Sequence, residues 1–159
     1  MDQTPDKHVV ELLRGSRIAM VTYLGPDGAL LSKPMATQDV DFDGTLRFIT
    51  ERDSDKVEAL MADPRVNASY SNNGSWVSVS GRARVVDDVE KLRELWGTFT
   101  DAWLEGGPDN PRNVLLEVDP DGAEYWDAPG TSRVINLVNM VKAKVTGQRI
   151  EGDNETVDL

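Results

Sequence analysis

The chain has 159 residues, a length that fits one domain with a substantial core. Its formal net charge of −11 argues against a nucleic-acid partner, because a polyanion needs a basic surface. It has no cysteine and a single histidine, which leaves no disulfide, no thiol chemistry, no His/Cys zinc site and no evident Ser-His-Asp arrangement.

In chain order, Thr4-Pro5-Asp6 reads as a helix start, with a cap, proline at the first position and an acid. Val9, Leu12 and Leu13 give that helix an apolar face, and Gly15 ends it. The only histidine, His8, sits on this helix and is read as exposed or packed rather than catalytic. No apolar signal core precedes it, and no apolar run approaches the ~20 residues needed to span a bilayer. The expectation is therefore a soluble cytoplasmic protein.

Residues 17–24 and 29–37 read as two strands around the turn Gly25-Pro26-Asp27-Gly28. Pro34 is expected to end the regular part of the second strand, since proline cannot donate to a ladder. Asp41-Phe42-Asp43-Gly44 is a turn without the further ligands a calcium loop requires. A strand over 45–50 follows, then a helix over 54–62 whose core face is predicted to be Val57, Leu60 and Met61.

The junction between that strand and that helix, Thr50-Glu51-Arg52-Asp53-Ser54-Asp55-Lys56, concentrates anion-binding chemistry. The first turn of a helix has N–H groups without intrahelical partners, and its dipole favours negative charge. Thr50 and Ser54 add hydroxyls, and Lys56 adds a full positive charge. The alternative is simple capping by Asp53 or Ser54 with a solvated lysine.

A strand over 65–71 places Val66, Ala68 and Tyr70 on one face, and Asn72-Asn73-Gly74 turns the chain. Residues 75–86 alternate: Val77, Val79, Gly81, Ala83 and Val85 face one way, Ser78, Ser80, Arg82 and Arg84 the other. Trp76 lies on the polar side, free to touch a bound ring or to pack at a subunit contact. Asp87-Asp88 caps a helix predicted over 89–100, whose spacing aligns Val89, Leu92, Trp96, Phe99 and Trp103 in one seam destined for the core. A Gly/Pro loop over 105–111, a strand over 113–118, a turn at Asp119-Pro120-Asp121-Gly122 and a last strand over 123–127 complete the predicted domain, residues 1–129. Residues 130–159 are expected to form a helical segment, with Val134, Leu137, Val138, Val141 and Val145 on one face, and an acidic tail.

Strands in hairpin order with intervening helices predict an α+β domain built on an antiparallel barrel. The pattern Phe48-x-Thr50-x-x-x-Ser54-x-Lys56 resembles the flavin-phosphate motif of the pyridoxamine 5′-phosphate oxidase-like, FMN-binding split-barrel superfamily, and the whole chain resembles its general stress protein branch. Ser32-Lys33-Pro34-Met35, Ser80-Gly81-Arg82-Ala83, Trp96 with Trp103, Gly106-Gly107-Pro108 and Ala123-Glu124-Tyr125-Trp126-Asp127 extend the likeness over residues 9–127.

The resemblance implies a homodimeric split barrel with flavin sites between subunits. It implies FMN as cofactor, with FAD or a deazaflavin also compatible. Thr50, Ser54 and Lys56 would hold the phosphate, Ser32 and Lys33 would line the ribityl or ring side, and Trp126 would reach the flavin of the other subunit. Trp76 remains open between a ring contact and subunit packing. Lys33 stands where the branch usually has arginine, which keeps the charge but loses the planar fork. The Arg-x-His that grips substrate phosphate in true pyridoxamine phosphate oxidases is missing after Trp126. A flavin-dependent oxidoreductase and a flavin carrier without turnover both fit, as does a barrel that has lost its cofactor.

Overall fold

The structure is a computed structural model that describes residues 5–38, 43–72, 74–127 and 131–135. Helix α1 (Pro5–Gly15) leads into the hairpin β1 (Ile18–Leu24) and β2 (Leu30–Ala36). Strand β3 (Leu46–Glu51) feeds helix α2 (Asp55–Ala62), and β4 (Arg65–Asn72) pairs with β5 (Ser75–Val86). Two short helices, α3 (Val89–Leu95) and α4 (Thr98–Trp103), precede the long β6 (Asn113–Asp127), and β7 (Thr131–Ile135) follows it.

Every pairing is antiparallel, in the order β2-β1-β4-β5-β6-β3, with β7 also on β6. β3 and β7 share one edge of β6, one after the other. The two ends of the path, β2 and β3, approach each other, so the sheet curls toward closure. This is an α+β antiparallel split barrel. Among the described residues no helix is long and apolar enough to cross a membrane.

The period-2 pattern decides what fills the barrel. Ala19, Val21, Tyr23, Phe48, Val66, Ala68, Tyr70, Val77, Val79, Leu116 and Val118 point inward and form the main core with Val9, Leu12 and Leu13 of α1 and Leu60 of α2. A second, smaller core lies on the opposite side of the sheet. There α3 lays Leu92 and Leu95 over Leu115, with Ile49 and Val86 packed against them.

Several expectations change. Pro34 does not end β2. It pairs with Met20 inside the strand, which the end position of β2 in the sheet allows, because an edge strand has one side free of ladder bonds. Asp119-Pro120-Asp121-Gly122 is not a turn but part of a continuous 15-residue strand. Ser80 pairs with Gly122 and Gly81 with Pro120, so Asp121 is the extra residue of a bulge. Gly81 makes room for it: a Cβ there would lie 2.2 Å from the Asp119 carbonyl oxygen.

The helix expected over 89–100 breaks at Trp96-Gly97, both in extended conformation, and restarts as α4. The break dissolves the aromatic seam. Leu92 and Leu95 are buried, whereas Phe99 and Trp103 are 52% and 73% exposed and pack on each other at 6.2 Å between ring centroids. Met61, expected in the core, is 74% exposed, and Ala59 is buried instead. Val134, expected on a helix, lies in β7. The Thr4 cap, the His8 side chain, Asp41-Phe42, Asn73 and the readings beyond residue 135 lie outside what the structure describes.

Candidate site at the junction of β3 and α2

Thr50 is the last inward-facing residue of β3 and only 2% exposed. Two turn residues later, Ser54 is the N-cap of α2, with φ −76° and ψ 149°. Its carbonyl accepts from the N–H groups of Val57 (3.0 Å) and Glu58 (3.2 Å). Its side chain makes no capping bond, and Ser54 Oγ is buried without any hydrogen-bond partner. A buried hydroxyl left unpaired is unfavourable and calls for a partner.

Lys56, in the first turn of α2, is half-buried. Burial pulls its pKa below the ordinary lysine value, and the Lys33 charge pulls the same way, against the opposing pull of Glu51 and Asp55. Lys33 therefore comes from β2 to the same locality, across the gap where the barrel curls. A half-buried lysine next to a second lysine is a position that an anion would relieve.

Ser32 parts company with Lys33. Adjacent strand residues point to opposite faces. Lys33 is paired with Val21 and lies on the core side, whereas Ser32 is paired with Thr22 on the outer face, its Oγ 3.0 Å from Thr22 Oγ1. Trp76 and Trp126 are directly opposite each other on β5 and β6. Both lie on that outer face, Trp76 exposed and Trp126 half-buried. Thr50, by contrast, pairs with Val114 at the far end of β6. Thr50, Ser54 and Lys56 thus share one strand-to-helix junction, the Lys33 charge acts on Lys56, and the two tryptophans are paired separately.

Sequence reasoning missed the wall beside Ser54. Arg112 reaches Asp53 at 3.1 Å and Glu51 at 3.5 Å. The Arg52 amide donates to the Arg112 carbonyl at 2.7 Å, and Arg52 Nε to the Pro111 carbonyl at 3.3 Å. The guanidinium of Arg52 is paired with Asp87. The loop that supplies Arg112 is held from behind by Asn113 Nδ2, which donates to the carbonyls of Glu105 (3.1 Å) and Gly107 (2.8 Å). Asp53 and Arg112 are 59 positions apart in the chain, and no local pattern signals their meeting.

The structure is thus an antiparallel split barrel with an orphan hydroxyl and a half-buried lysine at a strand-to-helix junction. The chain matches the family described as "Pyridoxamine 5′-phosphate oxidase like" over residues 4–151, and it belongs to that family. It is 31% identical over 141 residues to protein bli-3 of Neurospora crassa, a match covering 81% of this chain. The match spans just under two thirds of that relative, 66% of its length. The fold is similar to general stress protein 26 of Bacillus anthracis, with a TM-score of 0.72, 22% identity and coverage of 82% of this chain and 97% of that one. It is also similar to the general stress FMN/FAD binding protein of Xanthomonas citri, with a TM-score of 0.66 at 28% identity, covering 78% and 89% of the two chains.

Proposed function

We propose that this chain is a homodimeric flavin-binding protein of the general stress type that holds FMN at the junction of β3 and α2 and serves as a flavin-dependent oxidoreductase. The observation that carries the reading is the buried Ser54 Oγ without a partner beside the desolvated Lys56. A phosphate supplies what both lack: acceptor oxygens for the hydroxyl and negative charge for the ammonium. Thr50 and the first-turn amides of α2 complete the grip, and Lys33 lines its open side.

The bound flavin would supply hydride and electron transfer. The protein residues bind it, orient it and shape the electrostatics around it. Trp126, on the outer face beside Trp76, would meet the flavin of the partner subunit. Exposed Ile18, Met20 and Leu30 on the same side of the β1–β2 hairpin suit a two-fold contact. The absence of cysteine fits a cytoplasmic setting. Trp126 is not followed by Arg-x-His, so pyridoxamine phosphate oxidation is not part of the proposal.

The test is a visible spectrum of the purified protein, followed by titration with FMN, FAD and a deazaflavin. Bound FMN supports the reading, and a colourless protein that ignores all three overturns it. Anaerobic mixing with NADH or NADPH then decides turnover: bleaching of the flavin supports an oxidoreductase, and its absence leaves a carrier.

A further inference from the structure

We infer that Arg112 is a positioning residue that sets the charge balance of the anion site. The inference rests on the proposed flavin-phosphate reading. The junction carries three carboxylates, Glu51, Asp53 and Asp55, within a few residues of Ser54. Against them stand Lys56, from the same segment, and Lys33, from β2. Arg52 is engaged by Asp87 on the other side of its own turn. With only two lysines facing three acids, the cradle would be net negative, which is the wrong sign for a phosphate dianion.

Arg112 cancels that excess of negative charge. Its guanidinium bonds Asp53 at 3.1 Å and approaches Glu51 at 3.5 Å, so one residue occupies two of the three acids. Asp53 directly precedes the hydroxyl-bearing cap, and Arg112 holds its carboxyl below the usual range through hydrogen bonding and charge. The arginine is itself seated firmly, because its backbone carbonyl accepts from the Arg52 amide and its loop is pinned by Asn113. Arg112 touches neither Ser54 nor Lys56 directly in the described contacts; it acts by keeping the acids occupied.

The test measures dissociation constants for FMN and for riboflavin, which lacks the phosphate. Arg112→Gln is expected to weaken FMN roughly five- to tenfold at low ionic strength, the scale of one charge acting on a dianion across a few ångströms of partly wet protein. Riboflavin binding stays within about twofold, and the FMN difference shrinks at about 1 M salt, where the screening length is ~3 Å. Arg112→Lys restores most of the affinity. Adding Asp53→Asn to Arg112→Gln also restores it, because the stranded carboxylate is gone, whereas a role in merely fastening the loop would not be rescued that way. Equal loss of FMN and riboflavin, unchanged FMN binding, or failure of Asp53→Asn to rescue overturns the inference. If Lys56→Ala weakens FMN and Arg112→Gln does not, only the role of Arg112 falls. If the unmodified protein takes up no FMN, the site reading falls with it.

Discussion

Replacing Ser54 by alanine separates a binding role from a structural one, because the two push stability and affinity in opposite directions. An N-cap serine normally accepts from a first-turn N–H, and its loss costs typically ~1 kcal/mol of stability. Here the side chain makes no capping bond, and its Oγ is buried without a partner. Alanine removes an unsatisfied hydroxyl and no hydrogen bond. The ligand-free protein should therefore be as stable as its parent or more so, by up to about 1 kcal/mol, since an unpaired buried polar group costs ~1–3 kcal/mol. Flavin binding should move the other way. A hydrogen bond to a charged group contributes ~1.5–3 kcal/mol, so the FMN dissociation constant should rise roughly ten- to hundredfold. Urea unfolding of the ligand-free protein and a flavin-fluorescence titration give the two numbers. An alanine variant that loses about 1 kcal/mol of stability while binding FMN unchanged would show that Ser54 is an ordinary cap and would refute the site.

Lys56 predicts a pH dependence. Its pKa in the ligand-free fold is held below the unfolded value, so the unfolded chain binds more protons and stability rises with pH through the interval below 10.5. A bound phosphate favours the protonated form, so FMN affinity should fall as pH rises through that same interval, and a dissociation constant that stays flat there contradicts the assignment. For Trp126, mixing a Lys56→Ala dimer with a Trp126→Leu dimer should yield hybrids with one intact site and one doubly damaged site if the indole is supplied across the interface. Titration would then find about one tight FMN per hybrid, whereas two weak sites would place the indole in its own chain's pocket. Gly81→Ala should destabilise the fold by roughly 1–3 kcal/mol, as overpacking typically does, because its Cβ would meet the Asp119 backbone carbonyl; thermal unfolding checks this, and an unchanged midpoint would remove the close approach from the argument.

Strands with a clean alternation were legible because burial and period coincide. Val66, Ala68 and Tyr70, or Val77 and Val79, are inward wherever the pattern places them. Spacing failed where a local break reset the phase. Val89 to Trp103 keeps a helical spacing on paper, but the extended Trp96-Gly97 pair turns the second half, so Phe99 and Trp103 leave the core while Leu95 enters it. Asp119-Pro120-Asp121-Gly122 has the composition of a turn and is instead absorbed into a strand, because β5 continues past it and supplies a partner on each side of the bulge. At the site, Thr50, Ser54 and Lys56 could be read from one short segment. Lys33 and Arg112 could not be placed beside it from spacing, since one arrives by barrel closure and the other by a loop 59 positions beyond Asp53.

The bulge also explains how one strand serves two faces. Val114, Leu116 and Val118 of β6 point into the barrel. With strict alternation, every later even-numbered residue would point inward too, Trp126 included. The extra residue at Asp121 reverses the phase, so Ala123 and Tyr125 take the inward positions and Trp126 emerges outside, opposite Trp76. The contour of β6 from Val114, the partner of Thr50, to Trp126 is about 40 Å at ~3.3 Å per residue, so the tryptophan stands at the other end of the strand from its own chain's β3–α2 junction as well as on the other face of the sheet. A single irregularity thus sends an aromatic side chain out to the surface that a second copy would cover, which is the arrangement a flavin site shared between two subunits requires.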